Sequence, residues 1–263
     1  MTLSLWEAIF LGVVQGLTEF LPISSSGHLV LFQRLFGLEE GALTFDILLH
    51  LGTLLAVFAV FWRDILDILK NPFGKMGRLI IVGSIPTAMI GFLFKDYFDT
   101  AFASGGTLGI EFVITGIVIW WADTARRGFK KEREMGYVDA LLIGTLQGAA
   151  IMPALSRSGL TIMGALFRGL DREFAAKYSF LMSIPVILGA GVFDISDAME
   201  QGMAIGAPEI FGTLAAAVAG YFAIKYMIAL IVKRGMRMFA WYVWLLGGLI
   251  LLDQLFTQYL FTF

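Results

Sequence analysis

Six stretches of this chain are apolar over a length close to the roughly 20 residues that an α-helix needs to cross a bilayer. They lie at 43–62, 78–95, 106–122, 174–193, 208–232 and 239–258. So much apolar surface does not fit inside one water-soluble core, and the composition agrees. Hydrophobic residues make up 58% and charged residues 15%, against about 45–50% and about 25% in soluble domains. The 24 Phe, 6 Trp and 30 Gly supply aromatic anchors and close-packing positions for helices in lipid. Disorder, collagen-like repeats and a disulfide scaffold are excluded. The absence of Cys removes thiol catalysis and thiolate metal sites. A net charge of −2 offers nothing to nucleic acid, so no nucleic-acid partner is expected. The expected class is an all-α integral membrane protein, residues 1–263 forming a single membrane domain surrounded by lipid.

Two further apolar stretches, 5–36 and 139–168, are too long for one span and too short for two. Helix-breaking, hydroxyl-rich sequence interrupts each near its middle. The first break is Leu21-Pro22-Ile23-Ser24-Ser25-Ser26-Gly27; the second is Met152-Pro153-Ala154-Leu155-Ser156-Arg157-Ser158-Gly159. Both read as re-entrant hairpins, with half-helices expected at Gly27–Phe36 and Gly159–Arg168 beyond the breaks. Residues 1–20 lack the basic n-region and cleavage site of a signal peptide and are read as structure.

A shift of 132 residues lays Glu7–Leu29 over Asp139–Thr161. Seven positions then match: Ala8/Ala140, Gly12/Gly144, Gln15/Gln147, Gly16/Gly148, Ser24/Ser156, Ser26/Ser158 and Gly27/Gly159. This pattern predicts an internal duplication, residues 1–122 and 139–258, each a hairpin followed by three spans. Three is odd, so the second hairpin enters from the opposite face and the repeats are inverted, a plan that brings two broken elements together near the midplane. Of the 19 Lys and Arg, only Arg34 and Lys95 fall in connections on the face of the termini, whereas 15 fall on the other. The positive-inside rule therefore puts both termini outside the cell membrane. The basic loops read as topology signals and headgroup contacts.

Within the hairpins, Arg157 and Glu19 are charges that lipid does not tolerate without compensation. A mutual, purely structural salt bridge is the plain reading. A functional one rests on what surrounds them. Ser24-Ser25-Ser26-Gly27 and Ser156-Arg157-Ser158-Gly159 each precede a half-helix, whose N-terminal N–H groups favour anions, and Arg157 adds a planar fork suited to phosphate oxygens. Gln15 and Glu19, four residues apart, share a helix face. Ser25 as nucleophile, Glu19 and His28 as proton-handling groups, and Arg157 as clamp form a phosphoryl-transfer set. Gln15, Ser24, Ser26, Gly27, Ser156, Ser158, Gly159 and Thr161 are the expected substrate-binding positions. N-capping alone also accounts for Ser24 and Ser26. Thr161 is placed to support the arginine or to donate to phosphate. Asp46 and His50, spaced i, i+4, suit a metal pair, but bonding to one another near the interface is the plainer reading.

Gln15-Gly16-Leu17-Thr18-Glu19-Phe20-Leu21-Pro22-Ile23-Ser24-Ser25-Ser26-Gly27-His28 resembles the (E/Q)xxxE-FLP-SSSGH signature of the undecaprenyl-diphosphate phosphatase (bacitracin-resistance) family, and Pro153-Ala154-Leu155-Ser156-Arg157-Ser158-Gly159-Leu160-Thr161 resembles its PGxSRSGxT motif. The resemblance covers the whole chain, including Phe45-Asp46 and the Ser179–Pro185 stretch. It implies a membrane hydrolase that removes the terminal phosphate of undecaprenyl diphosphate and so regenerates the lipid carrier of cell-wall building blocks. Ser25 is then the nucleophile, Glu19 and His28 assist proton transfer or positioning, and Arg157, Ser156, Ser158 and Thr161 hold the diphosphate. It also implies Mg²⁺ or Ca²⁺, with Glu19 a metal contact through the diphosphate, and an outward-opening site; a homodimer is compatible with it. Gln15 stands where many members have Glu. Ala154 replaces the motif's Gly, so the second turn must form without a residue that accepts positive φ easily. A transporter or flippase of a polyprenyl phosphate is the competing class, because the same midplane anion site serves translocation. A structural scaffold leaves Glu19 and Arg157 without a reason.

Overall fold

The computed structural model describes residues 3–38, 42–200 and 205–258. Within them every extended run is helical. Twelve α-helices follow in order: α1 (Leu5–Phe20), α2 (Ser25–Leu35), α3 (Ala42–Val60), α4 (Trp62–Lys70), α5 (Lys75–Leu93), α6 (Lys95–Ser104), α7 (Leu108–Ala122), α8 (Tyr137–Ala149), α9 (Arg157–Phe167), α10 (Arg172–Glu200), α11 (Ala207–Lys233) and α12 (Arg237–Leu252), the last running into a π turn at Asp253–Thr257. The six apolar runs lie on α3, α5, α7, α10, α11 and α12. Among the described residues, three helices are long and apolar enough to cross a membrane, and five if α3 with α4 and α6 with α7 each form one broken span.

Those pairs bend by 86° and 109°. The first bend follows from charge. The apolar run of α3 ends where Arg63, Asp64, Asp67 and Lys70 enter the sequence. The short α4 is amphipathic, burying Ile65, with Asp64 in its first turn and Lys70 in its last, where each complements the helix dipole. It turns aside instead of carrying four charges along the axis of α3.

Both candidate hairpins are helix, break, helix. Leu21 is extended (φ −74°, ψ 145°) because Pro22 excludes helical geometry from the residue before it. The helices beyond the breaks begin two residues earlier than the sequence suggests, at Ser25 and Arg157 instead of Gly27 and Gly159. The caps are Ser24 and Ser156, whose Oγ atoms accept the N–H of Gly27 (3.4 Å) and Gly159 (3.1 Å). Ser25 and Arg157 therefore stand on the first turns of helices.

The matched glycines are sites of close helix approach. A Cβ on Gly12 or Gly16 of α1 would strike the carbonyls of Gly212 and Ala216 on α11, and one on Gly144 of α8 would strike the Gly83 carbonyl on α5. A shift of 132 residues carries the first residues of α1, α2 and α5 onto those of α8, α9 and α11. At the loop end of α8, burial works to raise the Asp139 carboxyl. The Gly136 N–H (2.9 Å), Arg168 (2.6 Å) and Lys130 (3.4 Å) outweigh it and hold the group below the usual carboxylate range.

Candidate active site

The two breaks interlock. Ser24 Oγ donates to the carbonyl of Pro153 at 2.8 Å, and Ser158 Oγ donates to that of Leu21 at 3.1 Å. Leu21 and Pro153 are themselves 132 residues apart, so each break offers a hydroxyl to the same carbonyl of the other. Gly27 permits the approach: a Cβ there would lie 2.7 Å from the Phe112 ring and 3.0 Å from the Ala154 Cβ. The N-termini of α2 and α9 thereby meet.

Glu19 sits at the meeting point and is 7% exposed. Its Oε1 accepts from Arg157 Nη2 across the two breaks. Its Oε2 accepts from Ser25 Oγ at 2.5 Å and from Gln15 Nε2 at 3.0 Å. The structural salt bridge and the chemical constellation are thus one object. Among the described residues, Arg157 Nη1 and Gln15 Oε1 are buried without a hydrogen-bond partner. A buried polar atom left so costs about 1–3 kcal/mol, and here a donor and an acceptor both belong to side chains that bond the same Glu19 carboxylate as Ser25. Such a pair suits an anion's oxygen and the positive group that accompanies it.

The remaining predicted residues divide by what their polar atoms touch. Ser24 and Ser158 are engaged with the opposite break. Ser156 Oγ caps α9 and lies 3.3 Å from Ser158 Oγ. Thr161 Oγ1 donates to the Arg157 carbonyl at 2.8 Å and lies 2.6 Å from Ser179 Oγ, so it supports the arginine's turn. Ser26 is half-buried. Both ring nitrogens of His28 are engaged elsewhere than at Ser25: Nδ1 meets the Ser24 carbonyl at 2.6 Å and Nε2 the Tyr242 hydroxyl at 2.8 Å. Ser25 is the serine aimed at a carboxylate.

Several partners escape sequence reasoning. Glu111 on α7 accepts the Ala154 N–H at 2.6 Å. Thr115, one turn on, donates to the Ala154 carbonyl at 2.8 Å and accepts the Ser156 N–H at 3.1 Å. Together they grip the second break. The available signal was a carboxylate inside an apolar run, the same signal that marks Glu19. Ala154 itself is not among the described residues with positive φ, so the turn does not need the glycine it lacks; the left-handed residue is Ser24, at φ 66°. The Asp46–His50 contact runs to the Asp46 main-chain carbonyl (2.7 Å), while the Asp46 carboxylate takes Gln33 Nε2 (2.6 Å). His50 Nε2 instead faces Glu19 Oε2 at 3.9 Å.

No group of three or more His, Asp or Glu among the described residues forms a cage for a metal ion. The oxygens present fit a hard cation only if the ligand brings most of its shell, as Mg²⁺ commonly arrives with phosphates.

The family described as "Bacitracin resistance protein BacA" matches residues 8–249. The chain belongs to the BacA family. Among similar BacA-type proteins are an undecaprenyl-diphosphatase of Carboxydothermus hydrogenoformans, 52% identical over 95% of this chain and 97% of its own; undecaprenyl-diphosphatase 3 of Bacillus cereus, 49% identical over 94% and 96%; and an undecaprenyl-diphosphatase of Halothermothrix orenii, 45% identical over 95% and 98%. Family membership and the apolar helices make this chain a membrane-embedded protein.

Proposed function

We propose that the chain is an integral membrane phosphatase that hydrolyses undecaprenyl diphosphate to undecaprenyl phosphate and inorganic phosphate. The observation that carries this is the Ser25 hydroxyl on the Glu19 carboxylate, with Arg157 reaching the same carboxylate from the other break. The relatives' shared name supplies the substrate.

Ser25 Oγ attacks the terminal phosphorus in line as its proton passes to Glu19 Oε2. A bond forms between Oγ and phosphorus, and the anhydride P–O bond breaks to release undecaprenyl phosphate. Arg157, whose Nη1 has no partner among the described residues, and the N-termini of α2 and α9 stabilise charge on the equatorial oxygens. Water then attacks the phosphorus of the phosphoserine; the Oγ–P bond breaks as Glu19 returns its proton to Ser25 Oγ, and the water's oxygen and protons leave with inorganic phosphate. Glu19 is the better proton acceptor than His28 because its oxygen already holds the hydroxyl. Mg²⁺ or Ca²⁺ carried on the diphosphate would be held by Glu19 and Gln15 Oε1, and would supply neutralisation of phosphate charge.

For the fold, we infer six spans and two re-entrant hairpins in inverted repeats at 1–122 and 139–258. The reciprocal serine–carbonyl bonds, the equivalent helix starts and the paired glycine contacts support this reading. The charge count favours both termini and the site facing outward from the cell membrane. The prenyl tail remains in lipid between spans.

Purified protein in detergent, where no second compartment exists, should release inorganic phosphate from undecaprenyl diphosphate. Arg157→Ala should lower the rate by about 10²–10³-fold, the scale of a lost charge-stabilising donor, and a chelator should lower it further. A wild-type protein that binds the lipid without releasing phosphate would point to translocation instead.

A further inference from the structure

We propose that Tyr242 is a positioning residue for the Ser25 nucleophile, acting through His28 to hold the left-handed cap at Ser24; this rests on the phosphatase reading above. A carbonyl only accepts hydrogen bonds, so His28 Nδ1, 2.6 Å from Ser24 O, carries the ring proton. In the neutral ring Nε2 is then the acceptor, and Tyr242 Oη donates to it at 2.8 Å. The carbonyl sets the tautomer, and donation from the phenol reinforces it. The two rings are nearly parallel, 5.7 Å apart and inclined by 11°, and Phe112 meets the imidazole edge-on at 5.3 Å. Without the hydroxyl, Nε2 loses its donor and the Nδ1-protonated form loses part of its advantage over the other tautomer.

The clamp has something to hold. Ser24 lies at φ 66°, ψ 104°, a strained conformation that a residue with a Cβ keeps only where its surroundings over-determine it. Four contacts do so: Oγ to the Pro153 carbonyl, the Gly27 N–H to Oγ, and the Ser24 carbonyl to both the main-chain N–H (3.4 Å) and the Nδ1 of His28. The residue that follows is Ser25, turned back towards Glu19. The second break provides the contrast. Its cap, Ser156, has φ −73°, the position equivalent to His28 is Leu160, and Arg157 stands where the nucleophile would be.

The test uses full-length protein in detergent. Tyr242→Phe keeps the ring and removes the hydroxyl; its kcat for phosphate release should fall about 5- to 10-fold, the loss of one ordinary hydrogen bond, with KM unchanged. His28 and His50 are the chain's two histidines, so ¹⁵N NMR resolves the tautomer directly. His28 should be Nδ1-protonated in the wild type and should gain Nε2-protonated form in Tyr242→Phe. His28→Asn, whose amide nitrogen falls near Nδ1, should retain more activity than His28→Gln, and adding Tyr242→Phe to His28→Asn should change little. Unchanged kcat in Tyr242→Phe, a loss without a change of tautomer, or equal inactivation by His28→Asn and His28→Gln would each overturn the proposal. If Tyr242→Phe does not fold, the two His28 variants decide with Tyr242 intact. A wild type that releases no phosphate overturns the phosphatase reading, whereas the NMR tests the clamp without turnover.

Discussion

The turn between α1 and α2 and the turn between α8 and α9 are each closed by a serine whose Oγ takes the N–H of a glycine three residues on, yet Ser24 is left-handed and Ser156 is not. The first turn is held from the side by His28 and Tyr242, and its helix begins with the hydroxyl aimed at Glu19. The second is held by Glu111 and Thr115, and its helix begins with the guanidinium. The two turns thus share their caps and the carbonyls that their crossing bonds reach, and differ in backbone strain and in the group that opens the helix. In the mechanism proposed above, strain accompanies the nucleophile, where a hydroxyl's direction decides reactivity. A relaxed, well-anchored backbone accompanies Arg157, whose long side chain finds its own geometry.

That contrast has consequences that mutants can separate. The largest effect is expected in the first turn: Ser25→Ala should lower phosphate release by about 10⁴-fold or more, the scale of a lost nucleophile, while substrate still protects the protein against thermal unfolding. Near-normal turnover in this variant would replace covalent catalysis with direct attack by water. In the second turn, Arg157→Lys should cost about 10²-fold, because a point charge cannot bridge Glu19 and a phosphate oxygen as a fork does. A rate close to wild type would show that only charge is needed there. Glu111→Ala strips the Ala154 N–H of its acceptor and should destabilise the protein by about 1–3 kcal/mol, read as a lower Tm in detergent, with KM rising more than kcat falls. The reverse pattern would mean that α7 acts on the first turn. Smallest is Ala154→Gly. The family motif's glycine should lower stability here by about 0.4–1 kcal/mol, because Ala154 does not use the freedom that glycine provides. Increased stability would contradict the turn geometry.

Much of the candidate site was legible beforehand because its residues are close in sequence. Gln15, Glu19 and Ser25 lie within one helix and the break that ends it, and a charge in an apolar hairpin needs a partner whichever way the chain runs. The helix starts were misplaced by two residues because serine and glycine both suit a helix end, and only the hydrogen bond shows which residue caps. Glu111 carries the signal of a carboxylate in an apolar run, but no helix break or motif near it in sequence says what it holds.

By itself, the chain's order of residues determined the helical class, the two interruptions, their shared plan and the identity of the acid, the serine and the arginine. These follow from local physics: apolar length, proline and glycine at the breaks, serine at the caps. Which atom each polar group meets was decided only by tertiary structure. Spacing places a side chain on a face of its helix, but it carries no information about which face of a distant helix lies opposite. For that reason the pairing of Arg157 with Glu19, the grip of Glu111 and Thr115, and the Tyr242–His28–Ser24 chain emerged only when α1, α2, α7, α9 and α12 were packed together.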